Sequence, residues 1–259
     1  MRLALIVEYE GTDFHGFQYQ SNVPSIQEEL EKAIERVTGE RVRIAGAGRT
    51  DAGVHAEGQV VAFDTASTHS PETFVRALNF YLPDAIAVKA VYRMARGFDP
   101  RRDALSRRYR FTVLNSSVPA PLMRRTAVRI TEPLDVRRMR GAARLLVGER
   151  DFKNFAGPLA EECSSTVRHI YQASVRKVGD LVTFDFEGSA FLPHQVRRMV
   201  GALVDVGRGK LLLSDFRTCI SGGAGDIVAH SLPPHGLCLM GVTYSDFPPN
   251  NGETYDSEH

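Results

Sequence analysis

The chain has 259 residues, 43% of them hydrophobic and 24% charged, with a formal net charge of +1. That composition fits an ordinary globular protein of one large domain or two small ones, each able to bury a core. No apolar run approaches the roughly 18 residues of a membrane span, and the overall charge announces no polyanionic partner. The opening MRLALIVEYEG soon meets Glu8 and lacks a cleavage site, so it reads as a buried strand and not as a signal peptide. Cys163, Cys219 and Cys238 fit neither a disulfide framework nor a zinc pattern. The cytoplasm is the expected compartment.

Charge is unevenly spread. Only Lys32, Lys89, Lys153, Lys177 and Lys210 are lysines among 32 basic residues. Residues 101–144 carry 12 arginines against Asp103, Glu132 and Asp135, whereas residues 246–259 carry four acids and no Lys or Arg. A basic middle and an acidic tail suit a protein that holds a polyanion at one surface, and arginine's planar fork suits phosphate. Side chains that simply face water would give the same pattern, so charge alone leaves the matter open.

In chain order, Leu3, Leu5, Val7 and Tyr9 alternate with Ala4 and Ile6, as in a strand covered on both sides. After a Gly-Thr-Asp turn, Ser25 and Glu28 make a capping box for a helix with an apolar stripe of Ile26, Leu30, Ala33, Ile34 and Val37. Strands are predicted at 42–44 and 60–63, on either side of the glycine-rich GAGRTDAGVHAEG. Ser70-Pro71 starts a second helix, with Phe74, Leu78 and Tyr81 facing inward and Pro83 ending it. Ile86, Val88, Ala90 and Tyr92 alternate as a strand. Tyr109, Phe111 and Val113 do so again, opposite a basic outer face of Arg108 and Arg110. Asp135 caps a helix with Val136, Met139, Ala143 and Leu146 inward. A loop over 156–165 precedes a hairpin turned at Gly179-Asp180, with Val182, Phe184 and Phe186 on one side of its second strand. Helices near 194–206 and from Ser214 follow, then a closing strand over 237–244. The pattern predicts an α+β fold with largely antiparallel sheets flanked by helices, in two similar lobes over 1–105 and 106–247, and a disordered polar tail over 248–259.

The segment Gly46 to Ala56, GAGRTDAGVHA, is the most informative. Its spacing is G-x-G-x-x-D with no third glycine and no helix after it, which argues against a dinucleotide site. His55 and His15 lack partners at ligand spacing, which argues against a metal. Arg49 and Asp51 remain, two residues apart in a glycine-bracketed loop, where an extended backbone projects both to one side. Such a carboxylate can be a nucleophile or general base, or simply cap its own turn.

The stretch GAGRTDAGVHAEGQVVAF resembles the catalytic motif of the tRNA pseudouridine synthase A family. The resemblance continues in order through YEGTDFHGFQYQ, SIQEELEKAI, Asn79 to Pro83, SRRYRF, DFKNF, FLPHQVRRMVG and GLCL, covering about residues 3 to 245. It implies a pseudouridine synthase fold whose lobes face a basic cleft, and an isomerase that converts uridine to pseudouridine without metal or other cofactor. Asp51 is then the catalytic carboxylate. Tyr109 stacks on the extruded uracil, Arg49 helps displace the base, Arg197 pairs with the catalytic Asp, and Leu237 closes the pocket. The arginines expected at RNA are Arg101, Arg102, Arg107, Arg108, Arg110 and Arg198. The resemblance further implies a homodimer acting on tRNA positions 38, 39 and 40.

Three positions depart from the family pattern: Phe17 stands where tryptophan is common, Gln195 where methionine is usual, and Asp99 opens a variant Asp-Pro-Arg-Arg segment. All three are expected near RNA and pocket surfaces. Two other readings are open to such a chain. One is a non-catalytic RNA-binding or RNA-chaperone protein on the same fold, which would not need Asp51, yet Asp51, Arg197 and Tyr109 are all present. The other is a glycosidic-bond hydrolase, which needs a second carboxylate that the GRTDAG, RRYRF and VRRMVG segments lack.

Overall fold

The computed structural model describes residues 1–157, 165–220 and 230–247. Cys163, most of the predicted loop over 156–165 and the predicted polar tail over 248–259 lie outside the described residues. The chain divides into two compact units: Met1–Ser106 together with the chain from Leu239 onward, and Arg107–Cys238.

The first unit is built on β1 (Arg2–Tyr9), flanked by β3 (His55–Asp64) and β4 (Ile86–Met94), both antiparallel to it. The strand order is β4-β1-β3-β10, with the closing strand β10 spanning Leu237–Thr243. As the apolar run at the N-terminus implies, Leu3, Ala4, Leu5 and Val7 are fully buried. The predicted alternation in β4 breaks. A bulge opposite Ile6 and Val7 leaves Lys89 unpaired, so the buried residues change from Ile86 and Val88 to Val91. Residues 42–44, predicted as a strand, form none; the two-residue β2 (Ala45–Gly46) follows them and pairs with β3.

Two helices cover this sheet. In α1 (Ile26–Thr38) the Ser25 side chain accepts from the Glu28 backbone N–H, and Gly39 closes the helix in the left-handed conformation. Helix α2 (Pro71–Tyr81) is capped by Ser70 and packs on β4 and α1. Phe74 and Leu78 are buried as expected, and Phe74 meets Phe63 edge-on at 6.3 Å. Tyr81 is a correction: it is 43% exposed, lying in the last turn with Arg36 over its ring.

The second unit has strand order β5-β9-β8-β7: β5 (Ser106–Asn115), β9 (Leu181–Gly188), β8 (Val167–Val178) and β7 (Gly148–Asp151), all antiparallel pairs. The short β6 (Val128–Ile130) adds to β5 in parallel. The β8–β9 hairpin turns at Gly179-Asp180 as predicted, with Gly179 at φ 56°. Phe111, Val113, Val182, Phe184 and Phe186 are buried on one face, while Arg108 and Arg110 lie on the exposed other face.

Helix α3 (Val136–Arg144) is capped by Asp135, whose carboxylate accepts from the Arg137 and Arg138 backbones. It packs on β8 and on α4 (Gln195–Gly207). Helix α5 (Leu213–Ile220) completes the unit. The fold is α+β, with mostly antiparallel strands and flanking helices. Among the described residues no helix is long and apolar enough to cross a membrane.

Candidate active site

The GRTDAG loop is held by main-chain and buried polar contacts on every side. Ala47 N–H donates to Val60 O at 2.8 Å as the loop leaves β2, and Gln59 Nε2 donates to Gly48 O at 2.8 Å. Thr50 is buried, its hydroxyl 2.8 Å from the Tyr9 phenol and its carbonyl accepting from Phe17 N–H. Beyond Asp51, Val54 N–H returns to Asp51 O and Gly53 N–H reaches Phe14 O. Gly11 N–H donates to His55 Nδ1 at 3.0 Å, which fixes that buried imidazole with its proton on Nε2.

Two glycines make this closeness possible. Gly16 sits at φ +94°, and a Cβ there would lie 2.8 Å from Thr50 O. A Cβ on Gly46 would lie 2.6 Å from the Phe17 ring. Residues 11–17 therefore form a cradle that sets the backbone of Asp51, leaving its side chain half-buried while Arg49 is exposed.

That cradle corrects one expectation. Phe17 is 2% exposed and wedged against Gly46, so it supports the loop from beneath and is not at a surface. Gln195 is likewise buried at 1%, its Oε1 accepting from Leu192 N–H at 2.7 Å at the start of α4. Asp99 opens the turn over residues 100–102. It accepts from the Arg101 and Arg102 backbones, and those N–H donors hold its carboxyl below the usual carboxylate range.

Tyr109, Arg197 and Leu237 all belong to the second unit. Tyr109 is 8% exposed on the buried face of β5 and meets Phe191 edge-on at 5.2 Å. Arg197, in the first turn of α4, donates from Nε to Leu232 O at 2.8 Å. The residues leading from there end in a tight turn over Pro234–Gly236, where Gly236 packs against the Phe111 ring. Buried Leu237 thus starts β10 beside the strand face that carries Tyr109.

The six arginines expected at RNA separate into groups. Arg101, Arg102 and Arg108 are exposed. Arg107 is turned inward at 8% exposure, with Nη1 on Ser189 O at 2.8 Å. Arg110 is bound to Asp185 at 2.7 Å. Arg108 and Arg110 alternate with Tyr109 and so project from the opposite face of the sheet. Arg198 is half-buried, and its Nε has no hydrogen-bond partner.

Sequence reading did not single out Tyr9, Thr50, Gln59 or Gly16 as supports of the loop. The signal for them lay in two motifs: YEGTDFHGFQYQ contains Tyr9 and Gly16, and GAGRTDAGVHAEGQVVAF contains Thr50 and Gln59.

A family model described as tRNA pseudouridine synthase matches residues 5–97 and 142–245. The chain belongs to the tRNA pseudouridine synthase family. It is accordingly an enzyme of the isomerase class. The matched segments include Arg49, Asp51, Arg197 and Leu237, while Tyr109 falls between them. Full-length relatives bridge that interval. The tRNA pseudouridine synthase A of Myxococcus xanthus is 43% identical over 99% of this chain and 98% of its own length. That of Shewanella amazonensis is 38% identical over 95% and 94%, and that of Brevibacillus brevis 40% identical over 94% and 99%.

Proposed function

We propose that this member of the tRNA pseudouridine synthase family isomerises uridines 38, 39 and 40 in the anticodon stem-loop of tRNA, with Asp51 as the catalytic carboxylate. The observation that carries the reading is the GRTDAG loop. Its backbone is fixed by Tyr9, Phe14, Phe17, Gln59 and Val60, while the one carboxylate it bears stays half-buried. A site that must hold a reacting group to within a fraction of an ångström is built this way.

The reaction is an isomerisation and balances without an oxidant. The bond from ribose C1′ to uracil N1 breaks, the base turns, and C1′ bonds to C5. The C5 hydrogen leaves as a proton and N1 gains one. Asp51 acts on the ribose, on the base or on that proton. Tyr109, fixed edge-on by Phe191, offers its ring to the displaced uracil, a stacking contribution of about 1–3 kcal/mol. Arg49 assists displacement of the base, whose unstacking costs a few kcal/mol. Arg197 supports the active site, and Leu237 shields the detached base from water. Phosphate contacts fall to the exposed Arg101, Arg102 and Arg108, while Arg107 and Arg110 serve the fold. The enzyme works as a homodimer in the cytoplasm.

The test is a pseudouridine map of unmodified tRNA transcripts after incubation with wild type or Asp51→Ala, in EDTA. Pseudouridine at 38, 39 or 40 with wild type alone supports the whole reading. Modification confined to uridines elsewhere rejects the assignment of positions. Transcripts bound but unmodified would favour a binding module.

A further inference from the structure

Arg150 on β7 and Arg168 on β8 stand directly opposite each other in the antiparallel register. Opposed residues on such a pair have Cβ atoms about 4.5–5.5 Å apart, and like charges so placed repel. No ion pair offsets them among the described residues. Arg150 Nη2 donates to Val147 O, and Arg168 Nη1 to Ser165 O and Val167 O. The Nε of each is buried without a hydrogen-bond partner. The neighbouring carboxylates are on the other face of the ribbon: Glu149 opposes His169, and Asp151 is taken up by Lys153 N–H and the Thr166 hydroxyl. Two half-buried guanidinium groups with unpaired N–H donors and no anion between them are an unfilled arrangement.

The pair faces the same side of the sheet as Tyr109. The register places Arg107, Gly188, Ile170 and Gly148 in one row, with Tyr109 one step to one side of it and the arginine pair one step to the other. Phe191 ties the two ends. It packs edge-on against Tyr109, and both its ring and the Ile170 side chain close the space a Cβ on Gly188 would take, at 3.2 and 3.1 Å. Two strand spacings and two side-chain rows put Arg168 roughly 15 Å from Tyr109. That is the span of a few nucleotides of RNA strand.

We propose that Arg150 and Arg168 together hold one backbone phosphate of the RNA substrate, a few nucleotides from the uridine that meets Tyr109. Paired guanidinium forks suit a phosphate's oxygens, and an anion removes both the repulsion and the unpaired donors. The inference rests on the functional reading above.

The test compares Arg150→Gln, Arg168→Gln, the double variant and Arg168→Lys, with Arg176→Gln on the opposite face as control. Affinity for an unmodified tRNA transcript is measured across salt concentrations, and melting temperature is measured without RNA. Each Gln variant is expected to bind tRNA roughly tenfold more weakly, with the slope of log K against log salt shallower by about 1. Arg168→Lys recovers part of the affinity and Arg176→Gln retains all of it. Without RNA the Gln variants melt at or above the wild-type temperature, because a repulsion has been removed. Unchanged tRNA affinity with a lowered melting temperature would overturn the proposal and make the pair a structural element. Inorganic phosphate that raises the melting temperature of wild type but not of the double variant, with tRNA affinity unchanged, would overturn it in favour of a free-anion site. Wild type that neither binds nor modifies tRNA would instead sink the functional reading itself.

Discussion

At the scale of single residues, the geometry around Asp51 sets sharp expectations. Gly16 combines φ +94° with a Cβ position 2.8 Å from Thr50 O, so Gly16→Ala must strain the cradle or push the loop away. A destabilisation of about 1–3 kcal/mol is expected from denaturant melts, with a larger fall in activity than in tRNA affinity. Tyr109 separates ring from hydroxyl. Tyr109→Phe keeps the edge contact with Phe191 and is expected to bind tRNA like wild type. Tyr109→Leu loses the stacking surface and about 10- to 100-fold in kcat/KM. Asp135 supplies a pH signature away from the chemistry. Its carboxyl is held below its ordinary value by the Arg138 N–H first and the Arg137 N–H next. A depressed carboxylate contributes stability above its unfolded value near about 4 and loses it as pH falls through the folded value. The melting-temperature gap between wild type and Asp135→Ala is therefore expected to be full at pH 7 and to shrink below about pH 4.

At the scale of elements, residues 18–19, helix α1 and the run into β2 are joined through Gln27, which is 2% exposed. Its Oε1 accepts from Tyr19 N–H and Gln18 Nε2, and its Nε2 donates to Glu31, whose carboxylate takes Ile44 N–H and Arg43. Gln27→Ala leaves several part-buried donors and acceptors without this partner and is expected to cost about 1 kcal/mol, read by chemical denaturation. Both tethered segments run into the cradle and the Asp51 loop, so turnover should fall with it. Gln27 sits next to Ile26 in a helical stripe, and nothing in its spacing marks it as the hub. The elements themselves were more legible. The Ser25 and Ser70 caps, the Gly179-Asp180 turn and the alternation of β5 and β9 are local chemistry written in adjacent residues. The β4 bulge was not legible, because only pairing with β1 leaves Lys89 over. Strands β6 and β7, of three and four residues, are too short to carry a period. Tyr81 follows the helical stripe by spacing yet is exposed in the last turn, where Asn79 holds the helix to Val88 of β4 and Arg36 covers the Tyr81 ring.

At the scale of the whole molecule, net charge understates the attraction to a polyanion. The 12 arginines of residues 101–144 sit in a chain of net +1, and the structure turns some of them inward or onto carboxylates. Binding that uses even a handful of phosphate contacts is expected to weaken by about a thousandfold between 50 and 200 mM salt, as electrophoretic or fluorescence titration would read. The candidate site was legible as a motif: an eleven-residue glycine-rich stretch with one Arg and one Asp. The means of its rigidity was not, since Tyr9, Thr50 and Gln59 meet only when β1, β3 and the loop are assembled. Most direct is the rate at which tritium leaves tRNA labelled at uridine C5, because joining C1′ to C5 must expel that hydrogen. Wild type is expected to release it in EDTA with multiple turnovers, and Asp51→Ala at least about a thousandfold more slowly with tRNA still bound. Release by Asp51→Ala at the wild-type rate would contradict the assignment of Asp51 as the catalytic carboxylate.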